Sequence, residues 1–310
     1  MVSQAQSITI LMATYDGADF LEEQLQSLVD QRWERINVLA SDDGSTDATL
    51  AILKDWQGRW SRGRFEIVRG PGAGFAENFR SLLCSSAFDA DFVAFCDQDD
   101  VWGADKLCAA AARLGKVSPD CPALYSSRTE YISEDGVHLG YSPLFNGATS
   151  FRNAIVQNIG GGNTMVMNRA AFLLVGEGAR RTGFVSHDWW SYLMVTGAGG
   201  RVIYDSVPRI AYRQHGGNLV GENTSIRAKI DRLKRMIAGQ FSEWTERNTA
   251  GLNICADLLT PESRSILATF TDAKRSGLIA RIAAVVRLRL YRQTFTGNVG
   301  LYVQALIGRL

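Results

Sequence analysis

Short apolar runs alternate with amphipathic segments through the first third of the chain. The runs have the length of buried strands, and the segments between them carry apolar residues at helical spacing, as at Leu21, Leu25 and Leu28. This pattern predicts strands at 8–13, 36–40, 65–68 and 91–96, and helices at 18–30, 48–56, 75–87 and 104–114. Strands that alternate with helices favour an α/β fold with a mainly parallel central sheet and flanking helices.

The second half of the chain has a less regular pattern. It predicts strands at 123–127, 202–204 and 210–212, a hairpin at 130–139, and a loop at 160–163 before an apolar run at 165–167. After about residue 225 the pattern becomes helical and basic. We therefore predict an α/β domain at 1–225 and a basic helical C-terminal region at 226–310.

The composition is that of an ordinary globular protein, with 46% hydrophobic and 21% charged residues in a chain of 310. The net charge of +1 offers no general attraction for nucleic acid. Five widely spaced cysteines without a C-x-x-C pair argue against structural zinc and for free thiols in a reducing compartment. Because neither a signal-peptide pattern nor an apolar run of about 18 residues occurs, we predict a cytoplasmic protein without a membrane span.

Acidic residues follow two of the predicted strands. Asp42 and Asp43 follow the second strand, and the segment Asp97–Asp100 follows the fourth. Ligands of open α/β sheets bind beyond the carboxyl ends of the strands. Several carboxylates at one edge repel one another unless a cation compensates, and hard divalent cations prefer oxygen ligands. The sequence thus favours a metal-bridged nucleoside diphosphate, with helix capping as the alternative, strongest for Asp47.

Four segments in this order resemble the family 2 glycosyltransferases, which are inverting enzymes of the GT-A (Rossmann-like) fold. The segments are Ile8–Gln31, Ser41–Asp47, Asp97–Trp102 and His187–Trp190. Within the family, the bacterial rhamnosyltransferase branch is suggested by Asp97–Trp102, Gly72–Phe79 and Tyr212–Asn218. The resemblance covers roughly residues 8 to 220. It implies transfer of a sugar, with L-rhamnose as a candidate, from a dTDP- or UDP-linked donor to a glycan or a lipid-linked glycan.

Two departures from the family pattern qualify this resemblance. Asp16 stands where the family usually has Asn, which puts a role for residue 16 in doubt. The Gln-x-x-Arg-Trp motif of the processive members is absent, which favours a single addition over polymer synthesis.

The resemblance also implies roles for individual residues. The nucleotide-sugar would be bound by Thr14, Tyr15, Asp42, Asp43, Asn78, Asp97 and Arg213. A divalent metal, Mg²⁺ or Mn²⁺, would be held by Asp99 and His215, with Asp97 on the metal or the ribose. Asp188 would be the general base, and Trp102, Trp189 and Trp190 would contact the acceptor. The alternatives are that Asp43 orients its loop, that Asp188 caps a helix, and that one of Trp189 and Trp190 packs in the core.

The C-terminal region is the one strongly basic part of the chain. From Lys274 to Leu310 it carries seven basic residues and no acidic ones. Its segment Leu278–Arg292 has an apolar face made of Leu278, Ile282, Val285 and Val286. This pattern predicts a helix that lies on anionic lipid at the inner face of the membrane, and a helix packed on the domain is the alternative.

Two other functions remain open at this point. A sugar-phosphate nucleotidylyltransferase would also use a nucleotide and a metal, but it would carry a Gly-rich, Arg-containing loop where this chain has Thr14–Gly17. A catalytically inactive partner in a membrane assembly would not need to retain Asp97, Asp99 and Asp188.

Overall fold

The structure, a computed structural model, describes residues 6–85, 90–215 and 240–310. The elements, in chain order, are β1 (Ile8–Thr14), α1 (Ala18–Val29), β2 (Ile36–Asp42), α2 (Thr49–Arg59), β3 (Phe65–Arg69), α3 (Phe75–Cys84), β4 (Phe92–Cys96), β5 (Val101–Trp102), α4 (Lys106–Leu114), β6 (Ala123–Ser127), β7 (Glu130–Ile132), β8 (His138–Tyr141), α5 (Phe151–Ala154), β9 (Val166–Asn168), α6 (Arg169–Arg181), α7 (His187–Gly197), β10 (Arg201–Asp205), β11 (Ile210–Arg213), α8 (Gln240–Ile254), α9 (Pro261–Lys274), α10 (Leu278–Arg287) and α11 (Phe295–Ile307). Single 3₁₀ turns lie at Gly162–Thr164 and Ala256–Leu258.

Seven strands form the central sheet in the order β10-β6-β9-β4-β1-β2-β3. All neighbours pair in parallel except β9, which runs antiparallel to both β4 and β6. Helices cover both faces, so β1 is apolar along its length: Ile8, Ile10 and Met12 enter one core layer and Leu11 enters the other. The predicted α/β fold with a mainly parallel sheet is confirmed.

A second, four-stranded sheet has the order β5-β11-β7-β8. Its strand β5 follows Asp97–Asp100 directly, and β11 pairs antiparallel to it, with Ala211 opposite Val101. This pairing carries the residues after Ala211 back alongside Asp99 and Asp100. The small sheet therefore joins two sequence segments more than one hundred residues apart at the carboxyl edge of the main sheet.

The C-terminal helices pack onto the α/β body. Leu252, Phe270, Val285 and Leu301 belong to the same apolar core layer as Leu11. The predicted boundary at residue 225 lies outside the described residues. Among the described helices, none combines the length and the apolar character needed to cross a bilayer.

The apolar face predicted for the first C-terminal basic helix is divided between the core and solvent. The helix α10 ends at Arg287; Val285 is buried and Ile282 is half-buried, whereas Leu278 and Val286 are 43% and 59% exposed. Part of the predicted lipid-facing surface therefore packs on the body of the protein, and part of it stays exposed.

Candidate active site

The first acidic corner lies where β2 ends. Both oxygens of the Asp42 carboxylate accept hydrogen bonds within the corner: Oδ1 from the hydroxyls of Thr14 (3.0 Å) and Ser45 (2.5 Å), and Oδ2 from the backbone N–H of Ser45 (2.9 Å) and Gly44 (3.2 Å). An ionised carboxylate offers about four acceptor positions, so these donors occupy them all. In this structure Asp42 ties the end of β1 to its own loop.

Asp43 holds the glycine-rich loop that precedes α3. Its Oδ1 accepts from the backbone N–H of Gly72 (2.7 Å) and its Oδ2 from that of Gly74 (2.8 Å). Both glycines have positive φ angles, 68° and 87°, a conformation that favours glycine. The loop-orienting alternative for Asp43 thus fits the geometry.

Asn78 lies beneath this loop. It is buried, and its amide donates to the carbonyl of Ser41 (2.9 Å). The expected contact with the nucleotide is not visible in this geometry, because the side chain braces the strand end from inside.

Tyr15 is the large exposed side chain of the site, with 58% of its surface accessible. Its backbone is clamped by the side-chain amide of Gln98, which accepts from Tyr15 N–H (2.8 Å) and donates to Tyr15 C=O (2.9 Å). This clamp joins the end of β1 to the end of β4 and leaves the ring free to stack on a planar group.

Asp16 next to it has a φ of 43°, in the left-handed region that Asn and Asp tolerate better than other residues with a Cβ. Its carboxylate accepts from Thr46 N–H (2.7 Å). Asn could accept the same bond, so the departure from the family pattern conserves the local geometry.

The second acidic corner follows β4. The Oδ2 of Asp99 lies 2.8 Å from Nε2 of His215, within hydrogen-bond distance. Asp100 is fully buried and accepts from the side-chain amide of Asn163 (2.6 Å) and, weakly, from the backbone N–H of Arg213 (3.4 Å).

Lys106 is the missed charged residue of this corner. Its ammonium is fully buried, lies 2.9 Å from the ring centroid of Trp102, and donates to the carbonyl of Asn163. Burial lowers the pKa of Lys106 to about 7, against the opposing attraction of Asp100 and Asp97. The turn before α4 folds the Lys106 ammonium back toward Asp97 and Asp100, although its hydrogen bond goes to the Asn163 carbonyl.

Asp97 and Asp188 come together from opposite ends of the domain. Burial, together with the charges of Asp99 and Asp188, raises the pKa of Asp97 to about 7. Among the described residues, none donates a hydrogen bond to the Asp97 carboxylate. Asp188 lies in the first turn of α7, whose N-cap is Ser186, so Asp188 is not the capping residue. The half-buried Asp97 carboxylate lies close to two other carboxylates, so its ionisation is unfavourable unless a cation binds.

The donor set fits a divalent metal in part. Carboxylate oxygens and an imidazole suit Mn²⁺, and carboxylates with substrate phosphates suit Mg²⁺. In the part of the chain that the structure describes, no three His, Cys, Asp or Glu side chains converge tightly enough to enclose an ion. Asp99 and His215, with Asp97 nearby, would therefore hold a metal that also needs ligands from a bound diphosphate.

Arg213 does not face a ligand. Its guanidinium is buried and donates to the carbonyls of Asp99 (3.2 Å) and Glu134 and to the carboxylate of Glu23. The predicted nucleotide contact is corrected, because Arg213 anchors the Asp99 backbone to α1 and to the β7–β8 hairpin.

The three tryptophans expected at the acceptor are in the core. Trp102, Trp189 and Trp190 are 3%, 4% and 0% exposed. Trp189 donates from its ring nitrogen to the carbonyl of Ala154 (2.7 Å), and Trp190 stacks on Phe184. All three therefore pack in the core in this geometry, whereas core packing had been the alternative for only one of Trp189 and Trp190.

His187 fixes the start of α7. Its ring stacks on Phe79 at 3.7 Å and meets Phe95 edge-on at 4.6 Å, and burial lowers its pKa to about 4, so it is neutral. The backbone of Gly162 lies against its Nε2, where a Cβ would come within 1.8 Å. This packing sets the position of the neighbouring Asp188.

The sequence reasoning missed Lys106, Asn163, Gln98 and Asp100 as parts of this site. Asp100 and Gln98 belong to an acidic motif that had been noted as a whole, so their place could have been found. Lys106 and Asn163 gave no local signal, because their partners come from other elements.

Residues 9–172, more than half of the chain, match the family model described as Glycosyl transferase family 2. The chain belongs to this family. A curated relative, the dTDP-rhamnosyl transferase RfbG of Shigella flexneri, is 28% identical over 236 residues, which are 72% of this chain and 78% of the relative. This glycosyltransferase therefore resembles a rhamnosyl transferase over most of its length.

Two solved structures share the fold. S. aureus TarS 1-349 in complex with UDP-GlcNAc has a TM-score of 0.56 and 14% identity, over 97% of this chain and 90% of that one. The mannosyltransferase PcManGT from Pyrobaculum calidifontis, in complex with GDP-Man and Mn²⁺, has a TM-score of 0.50 and 16% identity, over 99% and 89% of the two chains. Both likenesses support the GT-A architecture of this glycosyltransferase.

Proposed function

We propose that this glycosyltransferase moves L-rhamnose, with inversion, from dTDP-rhamnose to a glycan acceptor, in particular a lipid-linked glycan of the cell surface. The observation that carries the proposal is that Asp188 lies close enough to Asp97, at the carboxyl edge of the sheet, for their charges to interact. The choice of donor rests on the likeness to the dTDP-rhamnosyl transferase of Shigella flexneri. The nucleotide-sugars bound by the two structural neighbours support the wider donor class.

The exposed Tyr15 ring would stack on the thymine, and Asp42 would accept from its N3–H once the Ser45 hydroxyl turns away. Asp97, Asp99 and His215 would hold Mg²⁺ or Mn²⁺ together with the diphosphate. When bound, the cation supplies the positive charge that stabilises the leaving diphosphate.

Asp188 would take the proton from the acceptor hydroxyl while that oxygen attacks the anomeric carbon from the face opposite the diphosphate. The geometry suits this role, because Asp188 sits in the first turn of a helix locked by His187 and shares the site with the metal-side carboxylates. Its carboxylate accepts a local hydrogen bond from Trp189 N–H (2.6 Å), which orients it.

The decisive variant is Asp188→Asn, which keeps the size and removes the base. General-base catalysis commonly contributes about 10²–10⁴-fold, so we expect a turnover loss of that order with donor affinity nearly unchanged. Transfer from dTDP-rhamnose, UDP-GlcNAc and GDP-mannose is measured with Mn²⁺, alongside the melting temperature and the anomeric configuration of the product. Near-parental turnover in the variant would remove Asp188 from the mechanism, and retained configuration would reject inversion.

A further inference from the structure

Two C-terminal helices each present a stripe of apolar residues to solvent. On α10, Ile279 and Val286 are 84% and 59% exposed and lie seven residues apart, so they share one helix face. The opposite face is used by the core through Ala284 and Val285. Only the inner face is buried, so the apolar stripe formed by Ile279 and Val286 stays exposed.

The stripe on α11 is longer and was not expected from the sequence. Phe295, Val299, Tyr302 and Leu306 are 83%, 50%, 43% and 50% exposed, and they recur at i, i+4, i+7 and i+11. The helix carries no charged side chain between Phe295 and Ile307. Since its inner residues already pack on the body, this outer face has no role in folding the described chain.

Uncompensated positive charge surrounds both stripes. Arg275, Arg287, Arg289 and Arg309 are exposed, and none forms an ion pair with any residue of the described ranges. No acidic residue occurs between Lys274 and Leu310. Two copies of this face would repel each other, whereas an anionic lipid surface matches both its charge and its apolar residues.

Arg289, just after α10, is a charged residue in a backbone conformation that suits glycine better. Its φ of 52° places it in the left-handed region just after α10, where helices usually end with glycine. A long basic side chain occupies a position whose backbone geometry prefers the smallest residue.

We propose that the outer faces of α10 and α11 form one docking surface for anionic lipid headgroups, with Ile279, Phe295 and Val299 entering the headgroup–acyl boundary. This surface shares Val286 with the apolar face predicted from the sequence and adds residues of α11. It rests on the proposed function only in its purpose, which is to bring the site to a lipid-linked acceptor.

The test is co-sedimentation of the full chain with vesicles of phosphatidylglycerol or of phosphatidylcholine. We expect binding to the anionic vesicles alone, weakened by salt. Phe295→Ser should lower the affinity at least about tenfold, because a buried phenyl group is lost. Arg289→Gly should lower it about fivefold while the melting temperature holds or rises, since glycine suits that φ.

Leu173→Ser is the matched control, because Leu173 on α6 is 51% exposed, as Val299 is, and lies outside the docking surface. Equal binding to neutral and anionic vesicles, or equal losses for Phe295→Ser and Leu173→Ser, would overturn the proposal. So would a dimer in solution that Phe295→Ser dissolves, because a second copy would then cover the face. Donor hydrolysis without vesicles should be the same in all variants, so failure of lipid binding and failure of the sugar-transfer function are read separately.

Discussion

The two strands that flank β1 each end in adjacent aspartates, yet the structure uses them differently. At the end of β2, Asp42 and Asp43 are saturated by hydrogen bonds from their own and neighbouring loops. At the end of β4, Asp97 receives no hydrogen bond from the described residues, and within the same ranges the Asp99 carboxylate bonds to His215. We infer that the first corner mainly builds the site and that the second meets the diphosphate and the metal.

This contrast shows why a run of carboxylates is an ambiguous signal in a sequence. An acidic side chain with several backbone N–H groups in reach acts as a loop fastener, since the negative charge is already compensated. An acidic side chain surrounded by other acids, as Asp97 is by Asp99 and Asp188, carries negative charge that the protein does not compensate. A bound cation would neutralise it. The distinction depends on which N–H groups the fold delivers, and the composition of the motif does not reveal it.

The largest effect is expected from the ligand-facing corner. Asp99→Ala should lower turnover by about 10²–10³-fold, because charge stabilisation of a leaving diphosphate is worth several kcal/mol. It should also abolish the extra thermal stabilisation that Mn²⁺ gives to the dTDP complex. The melting temperature of the free protein should change little, because the loss of the bond to His215 is offset by reduced repulsion of Asp97. If metal-dependent stabilisation by dTDP is equal in variant and parent, Asp99 is not a metal ligand.

A smaller effect, of the opposite kind, is expected at the loop-building corner. Asp43→Ala should lower the free energy of unfolding by about 2–3 kcal/mol, because two hydrogen bonds from Gly72 and Gly74 to a charged acceptor are lost. Urea denaturation measures the loss, and Asp43→Asn, which keeps one acceptor, should lose less. A variant of parental stability that no longer binds dTDP would place Asp43 at the ligand and break the contrast between the corners.

The sequence predicted the sheet better than the site. The strands β1, β2, β4 and β6 fall within a few residues of their predicted bounds, because apolar runs buried on both faces are distinctive. The sequence did not predict helix α6, because the helix contains Gly176 and Gly178. Each glycine lowers helix stability by about 1 kcal/mol relative to alanine. Both are needed for close packing: a Cβ on Gly176 would lie 2.7 Å from the Leu83 carbonyl, and one on Gly178 would lie 2.9 Å from Trp190.

The roles of individual site residues were harder to predict, because exposure depends on contacts from remote elements. The sequence suggests that Arg213 binds a ligand. In the structure its guanidinium donates to the carboxylate of Glu23 and to the carbonyls of Glu134 and Asp99. The sequence suggests that the tryptophans stack on a sugar. Both faces of α7 are packed, however, so Trp189 and Trp190 lie in the core. Only the pairing of β5 with β11, which no local pattern predicts, brings His215 to Asp99.

The smallest expected effect concerns Asp16, which sits between the two corners. Its left-handed backbone and its bond from Thr46 N–H need a short side chain with an acceptor oxygen, and Asn supplies both. Asp16→Asn should therefore change the free energy of unfolding by less than about 0.5 kcal/mol and leave turnover near the parental value. Asp16→Ala should cost about 1–3 kcal/mol, because the strain remains and the hydrogen bond is lost. If Asp16→Asn instead lost turnover at unchanged stability, the charge of Asp16 would belong to the ligand-facing group, and the boundary between the two corners would move to include it.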